Sequence, residues 1–172
     1  MKIKPDMYVK DILSINYKKL KEKGIKALFF DFDNTLIEMG NYTLNEKYEK
    51  LIEKIKKDFK VMIVSNSIHA SKLEKVCSKY NLSYVGASFK PFFFGFKKAE
   101  KLVGFKEQEI CMIGDQLVTD IYGGNRFGMF TILVDPLGKK DLKITGLNRF
   151  IERKILNKYE KQNIMKKGVY YE

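Results

Sequence analysis

Two carboxylates one residue apart, Asp31 and Asp33, directly follow an apolar stretch that begins at Ile25. Burying an unpaired aspartate is costly, so two of them at the end of an apolar segment require a purpose. One interpretation is a strand-end turn in which an aspartate side chain caps the backbone. The other is a magnesium site in which one carboxylate is a nucleophile, because magnesium prefers oxygen ligands.

Other polar residues also follow apolar, strand-like segments: Ser65, Asn66, Lys90 and Asp115. Taken singly, each has an ordinary explanation, such as a helix cap, one lysine among many, or a tight turn after a glycine. Their shared placement favours a common site, because ligands bind at the carboxyl ends of the strands in open α/β sheets. These residues are therefore candidates for the same chemistry as the two aspartates.

Strand-like and helix-like segments alternate along the chain. Apolar runs predict strands over residues 25–30, 60–64, 82–85, 109–113 and 129–134. Apolar spacing and capping residues predict helices over residues 45–58, 68–80, 93–103 and 118–126. This alternation predicts an α/β fold with a parallel sheet. We expect residues 1–24 to be a leader that packs on the sheet edge, and residues 147–172 to be a basic amphipathic helix with a loosely ordered tail.

The composition limits the class of protein. The chain has 172 residues, enough for one α/β domain, and carries 33 Lys and Arg against 21 Asp and Glu, a net charge of +12. This charge predicts attraction to nucleic acid, the ribosome or an anionic membrane, without choosing among them. No apolar run approaches the length of a transmembrane segment, and the first residues lack the apolar core of a signal peptide. Two cysteines without metal-binding spacing indicate buried thiols, so we expect a cytoplasmic protein.

The stretch DFDNTL, residues 31–36, resembles the DxDxT signature of the haloacid dehalogenase (HAD) superfamily, whose members are mostly aspartate-dependent phosphohydrolases. The resemblance implies a HAD-like Rossmannoid three-layer sandwich, with residues 25–146 as the catalytic domain. It implies that Asp31 is the nucleophile, forming an aspartyl-phosphate, and that Asp33 is the general acid/base. It also implies Mg²⁺ as cofactor, bound by Asp31, Asp115 and the backbone carbonyl of Asp33.

The same resemblance gives roles to the remaining polar residues. The hydroxyl of Ser65 would donate to the phosphoryl oxygens, and Asn66 beside it would help bind the substrate. Lys90 would offset the nucleophilic carboxylate and hold the phosphate. Asp120 would act on the metal site indirectly, through water or through another ligand.

A closer resemblance is carried by six short segments: Gly24-Ile25-Lys26, Asp33-Asn34-Thr35-Leu36, Val64-Ser65-Asn66, Lys90-Pro91, GDQLVTD at residues 114–120 and GGNR at residues 123–126. These look like the YqeG family of subclass IIIA phosphatases, which is similar to the mitochondrial phosphatidylglycerophosphatases. The short intervals between the motifs leave no room for a cap domain. The resemblance implies that Arg126 helps bind the substrate; a solvated cation at a helix end is the alternative.

The function implied is a magnesium-dependent phosphomonoesterase that acts on phosphatidylglycerophosphate at the inner face of the membrane. The basic charge and the amphipathic tail fit an anionic bilayer. One alternative is a phosphatase for a protein or nucleic-acid phosphate. Another is a ribosome- or RNA-associated binding protein with incidental hydrolysis, although the sequence contains no RNA-reading motif.

Two further features have simple expected roles. Helical spacing directs some of Phe92, Phe93, Phe94 and Phe96 into the core, but three consecutive phenylalanines cannot all face it. One or two are then free to contact a membrane or a partner near Lys90. We expect His69 to lie on a helix surface and to take no part in catalysis.

Overall fold

A computed structural model describes residues 3–68, 70–138 and 145–172 of the chain, with the side chains of residue 70 and of residues 145–149 outside that description. The sheet is built from β1 Met7–Val9, β2 Ala27–Phe30, β3 Lys60–Val64, β4 Ser83–Val85, β5 Ile110–Gly114 and β6 Phe130–Val134. The helices are α1 Tyr17–Glu22, α2 Glu46–Ile55, α3 Ala70–Lys79, α4 Phe93–Val103, α5 Gly123–Phe127 and α6 Thr145–Lys161. A π-helical segment, Leu117–Tyr122, leads directly into α5.

The strands form one sheet in the order β1-β6-β5-β2-β3-β4. All strand pairs are parallel, and β2 lies between β3 and β5, with Ala27 opposite both Lys60 and Ile110. The carboxyl ends of these three neighbouring strands therefore meet at one edge of the sheet. This arrangement confirms the α/β fold with a parallel sheet.

Apolar side chains leave both faces of β2, as its uninterrupted apolar sequence predicts. Leu28 and Phe30 pack on one face, in a cluster completed by residues of α1, α2 and α3. Ala27 and Phe29 pack on the other face, in a cluster that includes Phe96 of α4. The sheet is thus the middle of three layers, and β2 is held rigidly at its centre.

The structure adds detail to the leader and the tail. The leader lies at the edge of the sheet, where Met7–Val9 forms a strand, since Met7 pairs with Ile132 of β6. The tail, expected to be loosely ordered, forms a bridge between Tyr171 and Tyr8 and buries Met165. A three-residue strand and a tail that pairs across most of the chain leave too little local pattern for a sequence-based prediction.

The described residues contain no second folded domain over the sheet, in agreement with the predicted absence of a cap. The boundary placed after residue 146 falls within the first turn of α6, and His69 lies outside the described residues. Within the described ranges, no helix combines the length and the apolar character needed to cross a bilayer.

Candidate active site

Asp31 and Asp33 follow the carboxyl end of β2, in a turn that backbone hydrogen bonds hold in place. The backbone N–H of Asp31 donates to the carbonyl of Ile113 at 2.9 Å, which extends the pairing with β5 by one residue. Asn34 then adopts a left-handed conformation, with φ of 64°, and its N–H donates to the carbonyl of Ile37 at 2.7 Å. Asparagine tolerates this conformation better than most residues, so Asn34 allows the chain to turn just beyond the two carboxylates.

Lys90 places a cation directly on the predicted nucleophile. Its Nζ lies 2.6 Å from Oδ1 of Asp31, 2.8 Å from Oδ1 of Asp120 and 2.7 Å from the carbonyl oxygen of Val64. Burial alone would lower the pKa of this lysine, but Asp120 and Asp31 more than offset that effect and raise it. Lys90 is therefore a permanent ammonium whose three protons are all donated.

Three buried carboxylates form a cluster that includes both ion-pair partners of Lys90: Asp31, Asp115 and Asp120 each offer an oxygen, and the three oxygens lie within 4.8 Å of one another. Thr35 donates its hydroxyl to Oδ1 of Asp115 at 3.2 Å, which orients that carboxylate. Burial raises the pKa of Asp31 to about 8, opposed by Lys90 and reinforced by Asp120 and Asp115. Three acids with one lysine carry excess negative charge on oxygen donors, and this set fits a bound Mg²⁺.

Asp120 is held close to the sheet by its neighbours. Its Oδ2 accepts a hydrogen bond from the backbone N–H of Gln116 at 3.0 Å, while Oδ1 binds Lys90. A Cβ on Gly114 would lie 2.2 Å from Oδ2 of Asp120, so only glycine fits at this end of β5. Since both oxygens of Asp120 are engaged by protein groups, its contacts position Lys90, and its predicted indirect contribution to the metal site stays a prediction.

Asp33 is not a member of the three-carboxylate cluster; its side chain contacts a lysine that the sequence does not single out. Its Oδ1 lies 2.9 Å from Nζ of Lys72 on α3, with both side chains less than one-fifth exposed. The same ammonium lies 5.2 Å from the ring centre of Phe32 and 5.7 Å from that of Tyr42. No sequence signal distinguishes Lys72 among 33 basic residues, because only the fold brings α3 beside the turn after β2.

Ser65 and Asn66, which follow β3, make different contacts. Ser65 is buried, and its Oγ accepts from the N–H of Ser67 at 3.0 Å. The amide of Asn66 instead holds the loop before α4: its Nδ2 donates to the carbonyl of Lys90 at 2.9 Å, and its Oδ1 accepts from the N–H of Lys90 at 2.7 Å and from Oγ of Ser88 at 2.8 Å. These contacts position Lys90, and the predicted role of Asn66 in substrate binding stays a prediction.

This loop needs such support because its backbone is strained. Ala87 and Phe89 have φ of 44° and 53°, a region that costs a residue with a side chain about 1–2 kcal/mol. The three hydrogen bonds of Asn66 compensate part of this cost and fix the position from which Lys90 reaches Asp31. The hydrogen bonds between Asn66 and Lys90 were not predicted from the sequence, because they join two loops that only the fold brings together.

Arg126 lies on α5, where it contacts aromatic rings. Its guanidinium is 5.0 Å from the ring centre of Phe93 and 5.4 Å from that of Tyr122. These cation–π contacts hold the side chain on the surface of the helix layer. Among the described residues, no contact joins Arg126 to the carboxylates, and its role in substrate binding stays a prediction.

A cleft of about 800 Å³ opens beside Asp115. It runs between the end of β6 and α6, and Leu117, Leu133, Arg153 and Leu156 line it. Apolar side chains and charged side chains of both signs, among them Glu152 and Arg153, thus line this cleft beside Asp115. A separate hollow of about 620 Å³ between α1 and α2 contains none of the predicted site residues.

Two family models match adjacent parts of the chain. Residues 1–83 match the model described as mitochondrial PGP phosphatase, and residues 89–143 match the model described as HAD-hydrolase-like. Together they cover all of the polar residues that converge at the edge of the sheet. The DxDxT residues lie in the first match, and Lys90, Asp115 and Asp120 lie in the second.

Individual relatives agree with these models. The "Probable phosphatase YqeG" of Bacillus subtilis (strain 168) is 36% identical over 154 residues, which cover 89% of each chain. The "Phosphatidylglycerophosphate phosphatase 1, chloroplastic/mitochondrial" of Arabidopsis thaliana is 31% identical over 146 residues, which cover 80% of this chain and 42% of that protein.

A solved structure supports the fold separately. The crystal structure of an uncharacterized protein from Listeria monocytogenes serotype 4b superposes with a TM-score of 0.57 at 19% identity, covering 69% of this chain and 85% of that one. At this identity the likeness concerns the fold alone. The relatives and the family models carry the assignment: this chain belongs to the YqeG family of HAD-superfamily phosphatases.

Proposed function

We propose that this protein is a magnesium-dependent phosphomonoesterase that works through an aspartyl-phosphate and acts on phosphatidylglycerophosphate. The observation that supports the chemistry best is the position of Lys90, with its ammonium between Asp31 and Asp120. It ties Oδ1 of the proposed nucleophile in place and leaves Oδ2 for attack. A structural turn would need neither this buried cation nor the cluster of carboxylates around it.

Asp31 and Asp115 would hold the cation through their carboxylates, and Asp33 would add its backbone carbonyl. When bound, the cation offsets the negative charge of these carboxylates and of the phosphoryl group, and so favours ionised Asp31. The hydroxyl of Ser65 and the ammonium of Lys90 would hold phosphoryl oxygens during the reaction.

The reaction has two displacements. An oxygen of Asp31 bonds to phosphorus as the ester P–O bond breaks, and Asp33 donates a proton to the leaving oxygen. Asp33 then accepts a proton from water, whose oxygen attacks phosphorus and releases phosphate, which regenerates Asp31. Lys72 would keep the Asp33 carboxylate oriented between the two proton transfers.

Three observations support a lipid phosphate as the substrate. The Arabidopsis relative and the model matching residues 1–83 are both named for phosphatidylglycerophosphate. No cap domain covers the site within the described residues, so a bulky substrate has access. The net charge of +12 favours an anionic bilayer, and we propose that the protein works there as a peripheral protein.

The test is phosphate release from phosphatidylglycerophosphate in mixed micelles with Mg²⁺. We expect release by the wild type and loss of release in Asp31→Asn. Asp58→Asn should have no effect, because it alters an exposed carboxylate that is not a predicted site residue. Hydrolysis of an aryl phosphate but not of the lipid would overturn the substrate and leave the chemistry. Normal turnover in a folded Asp31→Asn protein would overturn Asp31 as the nucleophile, and activity in excess chelator would overturn the metal.

A further inference from the structure

Three phenylalanines beside the active site are exposed to solvent. Phe89, Phe92 and Phe94 have 61%, 62% and 79% of their surface exposed. They border a hollow of about 700 Å³ that also contacts Lys98. Such a group of large apolar side chains on the surface is typical of a site that binds a partner or a membrane. We call these three residues the phenylalanine patch.

The patch is held rigidly. The N–H of Phe92 donates to the carbonyl of Phe89 at 2.9 Å, and the N–H of Gly95 donates to the carbonyl of Ser88 at 3.2 Å. A Cβ on Gly95 would lie 2.4 Å from Cβ of Ser88, so the loop and α4 are in direct contact. Because Phe96 already occupies the core position of this turn, the patch residues have no inward place to go.

The patch lies at the same edge of the sheet as the catalytic residues. Phe89 immediately precedes Lys90, whose ammonium binds Asp31, so the same short loop carries a residue of the patch and a residue of the active site. The loops that follow β2 and β3 add two more exposed apolar side chains, Tyr42 and Ile68, at 54% and 74% exposure. A flat apolar surface brought against this edge would therefore meet the mouth of the active site.

The charges next to the patch identify the kind of surface. The exposed lysines Lys97 and Lys98 follow it directly on α4, and the helix carries three lysines against one acid, Glu100. Together with the net charge of +12, this arrangement complements a negatively charged partner. Phenylalanines next to lysines are the composition of segments that lie in the interfacial layer of an anionic bilayer.

We propose that the phenylalanine patch is a membrane-docking surface that inserts into the interfacial layer of an anionic lipid bilayer and brings the active site to the lipid headgroups. This inference rests on the proposed function, since a lipid substrate gives the docking its purpose. A protein partner would need a complementary shape around each ring, whereas a bilayer accepts protruding aromatic side chains without one. The high exposure of all three rings, Phe94 above all, therefore favours the bilayer.

The test measures binding to vesicles that contain no substrate. Phosphatidylcholine vesicles with about one-third phosphatidylglycerol would be sedimented with the wild type and with the double variant Phe92→Ser/Phe94→Ser. We expect the double variant to bind at least about tenfold more weakly, because two inserted rings are lost. Its hydrolysis of a soluble aryl phosphate should stay within about twofold of wild type.

Leu102→Ser is the matched control. Leu102 is 60% exposed, close to the value for Phe92, and lies at the opposite end of α4. Its substitution should leave vesicle binding unchanged. Equal binding by the wild type and the double variant would overturn the proposal, and so would a wild-type dimer that the double variant loses, because the patch would then bind a second copy.

The outcome separates docking from substrate choice. Vesicle binding that depends on the patch, without release of phosphate from phosphatidylglycerophosphate, would support docking and overturn only the proposed substrate. Release of phosphate in detergent micelles without any vesicle binding would overturn docking and leave the proposed function in place. A charge-neutral vesicle that binds as well as an anionic one would overturn the role of the lysines.

Discussion

Asp120→Asn tests whether the buried ion pair with Lys90 organises the site. Both side chains are 1% exposed, and their charged atoms lie 2.8 Å apart. Removing one partner of a buried pair costs about 3–5 kcal/mol when the other charge is left uncompensated. Lys90 keeps Asp31 and the carbonyl of Val64, so its charge is still partly compensated, and we expect a smaller cost than that range, about 2–3 kcal/mol of unfolding free energy.

A second effect of Asp120→Asn also lowers the unfolding free energy. Oδ2 of Asp120 accepts a hydrogen bond from the N–H of Gln116. An asparagine NH₂ in that place is itself a donor and could not accept this hydrogen bond. In a domain of 172 residues the combined loss corresponds to a fall of roughly 5–10 °C in Tm. We also expect the turnover of an aryl phosphate to fall at least about tenfold, because Lys90 is no longer fixed between two carboxylates.

The assay is denaturant unfolding of the metal-free protein, with Asp58→Asn as the control. Asp58 pairs with Lys21 on the surface, where the two side chains are 49% and 59% exposed, so its loss should cost less than about 1 kcal/mol. A change below about 0.5 kcal/mol in Asp120→Asn, or one equal to that of Asp58→Asn, would refute the reasoning. The Lys90–Asp120 pair would then contribute nothing beyond a surface contact.

Three other outcomes are expected. Asn66→Ala should lower kcat about 10- to 100-fold with little change in KM, because Lys90 loses the amide that fixes its backbone; steady-state kinetics on an aryl phosphate measures it. Lys72→Met should lower kcat about tenfold by releasing Asp33, again measured by steady-state kinetics. Mg²⁺ should raise Tm more at about pH 9 than at about pH 6 in thermal unfolding, because protons and metal compete for Asp31.

Each of the two substitutions has a matched control. Asn41 and Lys75 are exposed residues of the same types, the latter one turn along α3 from Lys72, and their substitution by Ala and Met should leave kcat unchanged. An Asn66→Ala effect confined to KM would show that the amide contacts substrate rather than the loop. A normal kcat in Lys72→Met would remove Lys72 from the mechanism.

The sign of the magnesium effect follows from Asp31. Burial raises the pKa of this carboxyl from 3.8 to about 8, so the folded metal-free protein keeps a proton that the unfolded chain releases. Between these values the metal-free protein loses the stability that this proton contributes as the pH rises. A cation that displaces the proton removes this loss. An equal Tm shift at both pH values would contradict the assignment of Asp31 as a ligand.

The parts of the site that a strand delivers could be predicted from sequence. Asp31, Ser65 and Asp115 each follow a buried strand, and parallel pairing alone brings such residues to one edge. The fold class followed from the same apolar runs. Local pattern was sufficient here because each side chain needs only its own strand to place it.

Contacts between elements that are distant in sequence could not be predicted. Lys72 reaches Asp33 across 39 positions, and Asn66 reaches Lys90 across 24, through side-chain geometry that no apolar pattern encodes. The phenylalanines show the difference between what a local pattern predicts and what only the fold determines. Helical spacing predicts that some of these rings face the core, without saying that Phe96 does, and the exposed Phe89 lies in a loop with a left-handed backbone that no pattern indicates.

The order of the strands also determines when the sheet can be completed. Met7 of β1 pairs with Ile132 of β6, so the first strand of the chain joins the sheet only after the sixth has formed. Pairing over such a separation is slow, because a long loop must close before any contact stabilises it. During synthesis, the apolar residues of β1 therefore stay unpaired until β6 has been made.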